Sequence, residues 1–383
     1  MFKAPKFFGK LSSKFSGKKP NIIMIMIDGA RYDAISKVDY YQELKKDSVF
    51  FPNLITYAPY TIASLHAVFS GMNGNDNGVN GYYKSYSFDK KKCFTLAQYF
   101  KEQGYHTECD LIYESIIPTQ GFDKVRSHNE FKDDLVKRHS EILLQIKNKQ
   151  PFCLFLDYSK LHTKLVSEVI KKYSDFDEAY FKDKDNNFKK YLGWVETSAD
   201  YLKSILDKTK ELGLWENSVI LVFTDHGVSV GDKVGEKAYG VYLYDYTLKS
   251  FLYVIGKDFS KNLEIKNVVR TIDVLPTIMD MFKLKEKENY KKIQGKSFLS
   301  FIKGEIDDRI AYSETGGLGG PTPSPEKHNV RSVRTDKWKL VYNETNKEKE
   351  LYDLENDPQE KNNLIGKGLE IENKLWEEIQ GNM

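Results

Sequence analysis

Three continuous apolar runs along the chain each carry an acidic residue at or near the end. These runs are residues 21–28 with Asp28, residues 152–159 with Asp157, and residues 218–227 with Asp225 followed by His226. A continuous apolar run is typical of a strand that is buried on both faces. Helix-like stretches such as residues 95–105 and 191–215 lie between the runs. The alternation predicts an α/β fold, with a mostly parallel central sheet and helices on both faces.

The acidic residues at the ends of these runs indicate where a ligand-binding site would form. In open α/β sheets, ligands bind outside the carboxyl ends of the strands. Because three separate runs place Asp or His at that edge, we expect these side chains to lie close together.

The pattern changes after residue 300. A Gly/Pro-rich loop at residues 314–329 is followed by a strand, a turn, another strand and a short final helix. We therefore expect a basic tail at residues 1–20 and a main domain at 21–305. A small antiparallel α+β subdomain at 306–383 would complete the fold.

The amino-acid composition excludes some classes of function and location for this chain. With 58 basic and 55 acidic residues the net charge is only +3, so no nucleic-acid partner is predicted. Cys93, Cys109 and Cys153 form no CxxC pair, which indicates reduced, buried thiols and a cytoplasmic setting. No apolar run approaches the roughly 20 residues that span a bilayer.

The first 20 residues contain six lysines, four phenylalanines and no acid. This composition is compatible with a disordered, solubilising tail. The alternative is a peripheral membrane anchor, with Phe at the headgroup boundary and Lys near anionic lipid.

Residues 58–71, APYTIASLHAVFSG, place the hydroxyls of Thr61 and Ser64 just before an apolar segment. One interpretation is a helix N-cap, in which a side-chain oxygen accepts a backbone N–H. The other is a nucleophile at a helix N-terminus, where backbone donors favour an anion. Together with Asp28, Asp225 and His226, Thr61 would suit a divalent metal ion that activates its hydroxyl.

Several longer motifs resemble the alkaline phosphatase superfamily, on its sulfatase-like branch. The matching segments, in chain order, are NIIMIMIDGARYD, APYTIASLHAVFSGMNGNDNGVNG, ELGLWENSVILVFTDHG, GEKAYGVYLYDYTLKSFLYVIG, VVRTIDVLPTIMDM and LYDLENDPQEKNNL. The resemblance covers most of residues 21–363, and the last segment is very specific because generic α/β proteins have no reason to carry it.

The resemblance implies roles for individual residues. Asp28, Asp225 and His226 would contact a divalent metal (Zn, Mn or Ca), and Thr61 would be the nucleophile. Lys237 would contact the anionic group being transferred, and His162 would face the leaving group.

Two departures from the sulfatase pattern affect the predicted chemistry. Sulfatases convert a Cys or Ser to formylglycine within a C/S-x-P/A-x-R pattern, whereas this chain has Thr61 and, in place of the Arg, Leu65. Threonine cannot yield that aldehyde, so the set resembles the phospho-acting relatives. We therefore expect a metal-dependent hydrolase or transferase that acts on a phosphoester through Thr61. The alternatives are a sulfuric ester hydrolase lacking formylglycine and a catalytically silent binding module.

A second metal site would need Asp157, His162 and His328, and one metal is preferred because the D-x4-H spacing is one residue longer than in two-metal relatives. His66 is expected to be a packing residue. No supporting context was found for His106, His128 and His139.

The substrate would be an anionic ester, with a glycan or a lipid head group as candidates. The loop at residues 72–86 carries Tyr82, Tyr83 and Tyr86, which either form a simple rim or stack on such a group. The location is expected to be cytoplasmic, with membrane-peripheral contact through the tail as a further option.

Overall fold

The structure is a computed structural model that describes residues 19–173, 177–316 and 328–383, apart from the side chain of Ile170. Most of the predicted tail and residues 317–327 of the Gly/Pro-rich loop therefore lie outside the described residues.

The main sheet is built around the apolar runs. Its strands are β1 (Asn21–Ile27), β2 (Val49–Ile55), β3 (His106–Leu111), β4 (Lys124–Ser127), β5 (Phe152–Tyr158), β6 (Ser218–Phe223), β7 (Lys249–Ile255), β8 (Leu263–Glu264) and β9 (Val269–Arg270). Their order is β4-β3-β5-β1-β6-β7-β2-β8, and β9 also pairs with β2. The five strands from β4 to β6 are parallel, whereas β7 runs antiparallel to both neighbours. The mostly parallel sheet is thus confirmed.

Helices pack on both faces of this sheet. In chain order, the helices of the described residues are α1 (Tyr32–Ile35), α2 (Asp39–Lys45), α3 (Thr61–Ser70), α4 (Gly74–Asn77), α5 (Leu96–Glu102), α6 (Leu135–Ile146), α7 (Lys160–Lys172), α8 (Glu178–Lys182), α9 (Lys184–Glu211), α10 (Asp245–Leu248), α11 (Val274–Phe282), α12 (Leu299–Ile302) and α13 (Glu370–Gly381), of which α13 packs on the small C-terminal sheet instead. Short 3-10 turns lie at Ser85–Ser87, Glu114–Ile116, Trp215–Asn217 and Thr271–Asp273.

The side chains of β1 show why its run is continuously apolar. Ile23, Ile25 and Ile27 pack into a core with α6 and α9, whereas Met24 and Met26 pack into a core with α3, α5 and α11. Successive strand residues face opposite layers, so a strand between two helical layers needs apolar residues at every position.

The C-terminal part forms the expected small antiparallel sheet. Its strands are β10 (Ala311–Thr315), β11 (Val330–Arg334), β12 (Trp338–Asn343) and β13 (Glu348–Asp353), paired in that order. Leu375 and Ile379 of α13 pack against this sheet beside Val333 and Leu340. Glu314 donates its backbone N–H to the carbonyl of Tyr57 at 2.9 Å, which joins the small sheet to the segment preceding α3.

Two further sequence expectations concern cysteines and membranes. Cys93, Cys109 and Cys153 are buried free thiols. Among the described residues, no helix has both the length and the apolar character needed to cross a bilayer.

Candidate active site

Three acidic side chains meet at the carboxyl edge of the main sheet. β1 lies between β5 and β6, so Asp28, just past β1, lies between Asp157 of β5 and Asp225 after β6. All three carboxyls are buried, with no more than 2% exposed. The strand order thus brings together side chains that are almost 200 positions apart in the sequence.

The turn after β1 fixes one oxygen of Asp225. Gly29 has a φ of +73° and donates its backbone N–H to Oδ1 of Asp225 at 3.2 Å. The next amide, from Ala30, donates to the hydroxyl of Thr224 at 3.1 Å. These contacts leave Oδ2 of Asp225 buried without a hydrogen-bond partner.

We predict that Gly29→Ala destabilises the protein by about 1–2 kcal/mol, because a side chain makes the left-handed conformation unfavourable. The new Cβ would also lie 3.1 Å from Cγ1 of Val228. Gly193→Ala is the matched control, since that glycine lies within α9 with open space around it, and alanine there should stabilise by about 0.5–1 kcal/mol. Urea unfolding of both variants checks this, and equal effects would contradict the account.

Thr61 is the first residue of α3, and Tyr60 occupies the N-cap position without a side-chain cap. The N-cap interpretation of Thr61 is therefore wrong. Its hydroxyl instead lies 3.2 Å from Nε2 of His226. The helix N-terminus thus presents this hydroxyl toward the acidic edge of the sheet, where the backbone donors of α3 favour negative charge.

Ser64, the other candidate cap, also has a different role. It lies inside α3, and its hydroxyl donates to the backbone carbonyl of Asp225 at 2.8 Å while accepting from Thr56 at 2.8 Å. Ser64 therefore ties α3 to the turn that carries Asp225, and the expectation that it caps the helix is wrong.

Asp28, Asp225 and His226 form a group whose ligand atoms all lie within 4.8 Å of one another. Oδ1 of Asp28 and Oδ2 of Asp225 are buried and have no hydrogen-bond partner. Nδ1 of His226 lies 2.7 Å from the carbonyl of Gly227 and donates to it, which leaves the Nε2 lone pair facing the carboxylates. Two unsatisfied carboxylate oxygens and one imidazole nitrogen fit a divalent metal ion.

The titration behaviour of the cluster reflects burial and mutual charge. Burial raises the pKa of Asp225 to about 6, and Asp28 adds to this rise. Burial and the charge of Asp28 likewise raise the pKa of Asp157 well above its usual value. Burial would also raise the pKa of Asp28, but the neighbouring His162 and His226 outweigh it and lower that pKa.

His162, in the first turn of α7, is the cationic partner of this cluster. Its Nδ1 lies 3.4 Å from Oδ1 of Asp28. Burial lowers the pKa of His162, but the charge of Asp28 outweighs it, and the pKa rises to about 9. The carboxylate of Asp28 therefore favours the protonated form of His162.

Tyr239 lies between the two histidines, a position that the sequence analysis did not identify. Its ring centroid is 5.1 Å from those of both His162 and His226. Tyr82 interacts electrostatically with Tyr239, and the ring of Tyr82 lies 5.2 Å from that of Tyr60. Tyr82 is thus part of the wall of the site, whereas Tyr83 and Tyr86 are 74% and 80% exposed on the rim.

Two further residues that the sequence placed at the site, Lys237 and His328, make their described contacts outside the Asp28, Asp225 and His226 group. Lys237 is half-buried and donates to the backbone carbonyl of Tyr173 at 3.3 Å. His328 lies against the hydroxyl of Tyr60, and its Nδ1 is 3.3 Å from Oε1 of Glu314. Among the described residues, His328 forms no compact ligand group with Asp157 and His162.

The contact of His328 links the small sheet to the nucleophile segment. Glu314 of β10 accepts hydrogen bonds from Tyr57 and, at 2.7 Å, from Tyr312. The path from Glu314 through His328 to Tyr60 ends one residue before Thr61. This link was missed because a single histidine after a Gly/Pro-rich loop carries no signal of its partner.

The other histidines lie outside the cluster. His66 lies 2.8 Å from the carbonyl of Ile62 and packs on Phe88, as expected for a packing residue. His106 contacts Glu108 at 2.6 Å. His128 and His139 both contact Asp110, at the end of β3, in a second buried group.

The sequence matches two family models and several curated proteins. The Sulfatase family model matches residues 20–284, and the model for N-sulphoglucosamine sulphohydrolase, C-terminal, matches residues 239–382. An ulvan-active sulfatase of Formosa agariphila is 24% identical over 91% of this chain and 76% of its own length. Arylsulfatase K of Bos taurus is 25% identical to this chain in a matched region. That region covers 50% of this chain and 35% of the length of arylsulfatase K.

Solved structures share the fold at low sequence identity. BT4656, in complex with its substrate D-glucosamine-2-N,6-O-disulfate, superposes with a TM-score of 0.74 at 16% identity, covering 95% of this chain and 97% of its own. The phosphonate monoester hydrolase of Agrobacterium radiobacter gives 0.73 at 13% identity and 95% coverage of both chains.

Both family models together extend over nearly the whole described chain, and both kinds of ester-cleaving neighbour share its architecture. The chain belongs to the sulfatase family, within the alkaline phosphatase superfamily, and is an enzyme of the class that hydrolyses sulfate or phosphate esters.

Proposed function

We propose that this enzyme cleaves or transfers a phosphoester with Thr61 as the nucleophile. The observation that carries the proposal is the Thr61 hydroxyl, which lies at the N-terminus of α3 and 3.2 Å from Nε2 of His226. The hydroxyl faces a buried cluster with unpaired carboxylate oxygens, which is the environment in which a bound cation would activate it.

Asp28, Asp225 and His226 would hold a divalent metal ion, and the ion would lower the pKa of a neighbouring hydroxyl and neutralise charge on the transferred group. Thr61 would lose its hydroxyl proton to water and form the new bond to phosphorus as the ester oxygen departs on the opposite side. His162, whose protonated form is favoured by Asp28, would donate a proton to the departing oxygen. Water or an acceptor hydroxyl then releases the group from Thr61.

The phospho-acting assignment rests on residues 61 and 65. Thr61 replaces the Cys or Ser that formylglycine formation needs, and Leu65, which replaces the Arg of that pattern, is fully buried in the core. The fold shared with a phosphonate monoester hydrolase is compatible with this chemistry. Hydrolysis of a sulfate ester without formylglycine is the second candidate, because the curated relatives are named sulfatases.

The substrate class and location are further proposals. The tyrosines around the site (Tyr60, Tyr82, Tyr83 and Tyr239) are suited to packing against a glycan or a lipid head group. The buried free cysteines support a reducing, cytoplasmic setting, with the basic tail as a candidate membrane contact.

An assay of three esters tests the function. The protein is loaded with Mn²⁺ or Zn²⁺ and given an aryl phosphate monoester, a phosphodiester and an aryl sulfate in parallel. We expect turnover of a phosphate ester to exceed that of the sulfate. Turnover of the sulfate alone would overturn the phosphoester assignment and support the second candidate.

A further inference from the structure

A buried hydrogen-bond network lies behind His162 and takes no part in the chemistry described above. Oδ2 of Asp110 lies 2.9 Å from Nδ1 of His128, and Nε2 of His128 lies 2.8 Å from the hydroxyl of Ser159. The exposed fraction of these three residues is 5% or less. We call Asp110, His128 and Ser159 the inner network.

Asp110, His128 and His139 have the donor types of a metal site, but their contacts do not fit one. Their ligand atoms lie within 4.8 Å of one another. However, the guanidinium of Arg138 already donates to both oxygens of Asp110, at 2.7 and 2.9 Å. Nδ1 of His139 is 2.6 Å from the hydroxyl of Tyr201. Because every ligand atom already has a partner, the group is a closed hydrogen-bond network.

The direction of the hydrogen bonds follows from the donors. The carboxylate of Asp110 can only accept, so Nδ1 of His128 donates to it. In the neutral ring Nε2 then accepts from the hydroxyl of Ser159. The backbone N–H of His128 also donates to the carbonyl of Leu111 at 2.9 Å, so both the main chain and the ring of His128 are held against β3.

Ser159 occupies the N-cap position of α7, yet its hydroxyl does not cap that helix. The hydroxyl is committed to His128, while the carbonyl of Ser159 accepts from the backbone N–H of Thr163 at 3.0 Å. The inner network therefore links the N-cap residue of α7 to β3.

That same turn carries His162, whose Nδ1 lies 3.4 Å from Oδ1 of Asp28. We propose that Ser159, through His128 and Asp110, is a positioning residue that fixes where the ring of His162 meets the departing group; this inference rests on the proposed function. Proton delivery to a departing oxygen needs placement to within about 0.5 Å, which a side chain in the first turn of a helix attains only if that turn is fixed. Ser159 itself touches no reacting atom.

The test compares two substrates in Ser159→Ala. Phenyl phosphate has a poor leaving group that needs a proton, whereas 4-nitrophenyl phosphate leaves readily without one. We expect kcat for phenyl phosphate to fall by about tenfold or more, and kcat for 4-nitrophenyl phosphate by less than about threefold, with KM unchanged for both. Tyr201→Phe is the matched control, because it removes a buried hydroxyl from the neighbouring contact of His139 and leaves Ser159 in place.

Comparing the loss of kcat on the two substrates distinguishes a positioning role of Ser159 from a merely structural one. Equal losses on both esters in Ser159→Ala, or the same ratio in Tyr201→Phe, would overturn the proposal. Wild-type activity reports separately on the proposed function. If the wild type cleaves only sulfate esters, the proposed function fails, and phenyl sulfate with 4-nitrophenyl sulfate then tests Ser159 by the same ratio. A wild type that cleaves none of these esters overturns both.

Discussion

Replacing Thr61 with alanine is expected to lower kcat/KM for phosphate esters by about three orders of magnitude or more, the loss typical when a nucleophile is removed. The hydroxyl lies 3.2 Å from Nε2 of His226, whereas Tyr60 occupies the N-cap of α3 and Ser64 makes the tie to the carbonyl of Asp225. The fold should therefore survive the substitution. Steady-state kinetics with a metal-loaded protein, alongside a thermal melt, measure both effects.

Thr61→Ser is the control for this substitution, since it keeps the hydroxyl and removes only a methyl group. We expect it to retain measurable turnover. Full activity in Thr61→Ala would contradict the assignment of Thr61 as the nucleophile.

Asp225→Asn is expected to abolish the metal response while stabilising the metal-free protein. Burial raises the pKa of Asp225 to about 6, so its ionised form destabilises the fold above that pH. Asparagine can still accept the hydrogen bond from Gly29. Above pH 6 the metal-free variant should gain roughly 2–3 kcal/mol over the wild type, and this gain should vanish below about pH 4.

Thermal melts in EDTA measure the stability of the metal-free protein, and melts with added Mn²⁺ or Zn²⁺ measure the metal response. Metal content is determined after desalting. Asp157→Asn is the matched control, because burial and Asp28 already raise the pKa of that carboxyl, and asparagine imitates its protonated form. The control should keep the metal-induced rise in Tm. An undiminished rise in Asp225→Asn would contradict the placement of the metal.

The sequence predicted the central part of the site because of one simple regularity. Asp28, Asp225 and His226 each follow a buried parallel strand, and parallel strands bring their carboxyl ends to one edge. The strand order, which places β1 between β5 and β6, depends on helix packing and could not be read from the runs themselves.

The sequence predicted the ends of α9 and the roles of the Thr61 and Ser64 hydroxyls less well. The helix expected at residues 191–215 runs from Lys184 to Glu211. Its earlier start follows from Asn187, which is buried and donates to the backbone carbonyls of Tyr180 and Val230. The local pattern at residues 58–71 did not distinguish capping from catalysis. Only the tertiary contacts of Thr61 and Ser64 separate the two roles.

The inner network and the contact of His328 were beyond prediction for another reason. Asp110, His128 and Ser159 come from three separate segments, and no spacing rule relates them. Asp110 does lie at the end of a strand, which was the one available signal. The partners of a buried histidine are set by which loops the sheet brings together.

In the proposed reaction, Thr61 carries the phosphoryl group during turnover. The most direct measurement mixes the metal-loaded enzyme with 4-nitrophenyl phosphate, quenches with acid at short times and maps phosphorylated peptides by mass spectrometry. We expect phosphothreonine at residue 61, which appears during turnover, decays as substrate is consumed and is absent in Thr61→Ala. Turnover without phosphate on Thr61, or with phosphate on another residue, would contradict it.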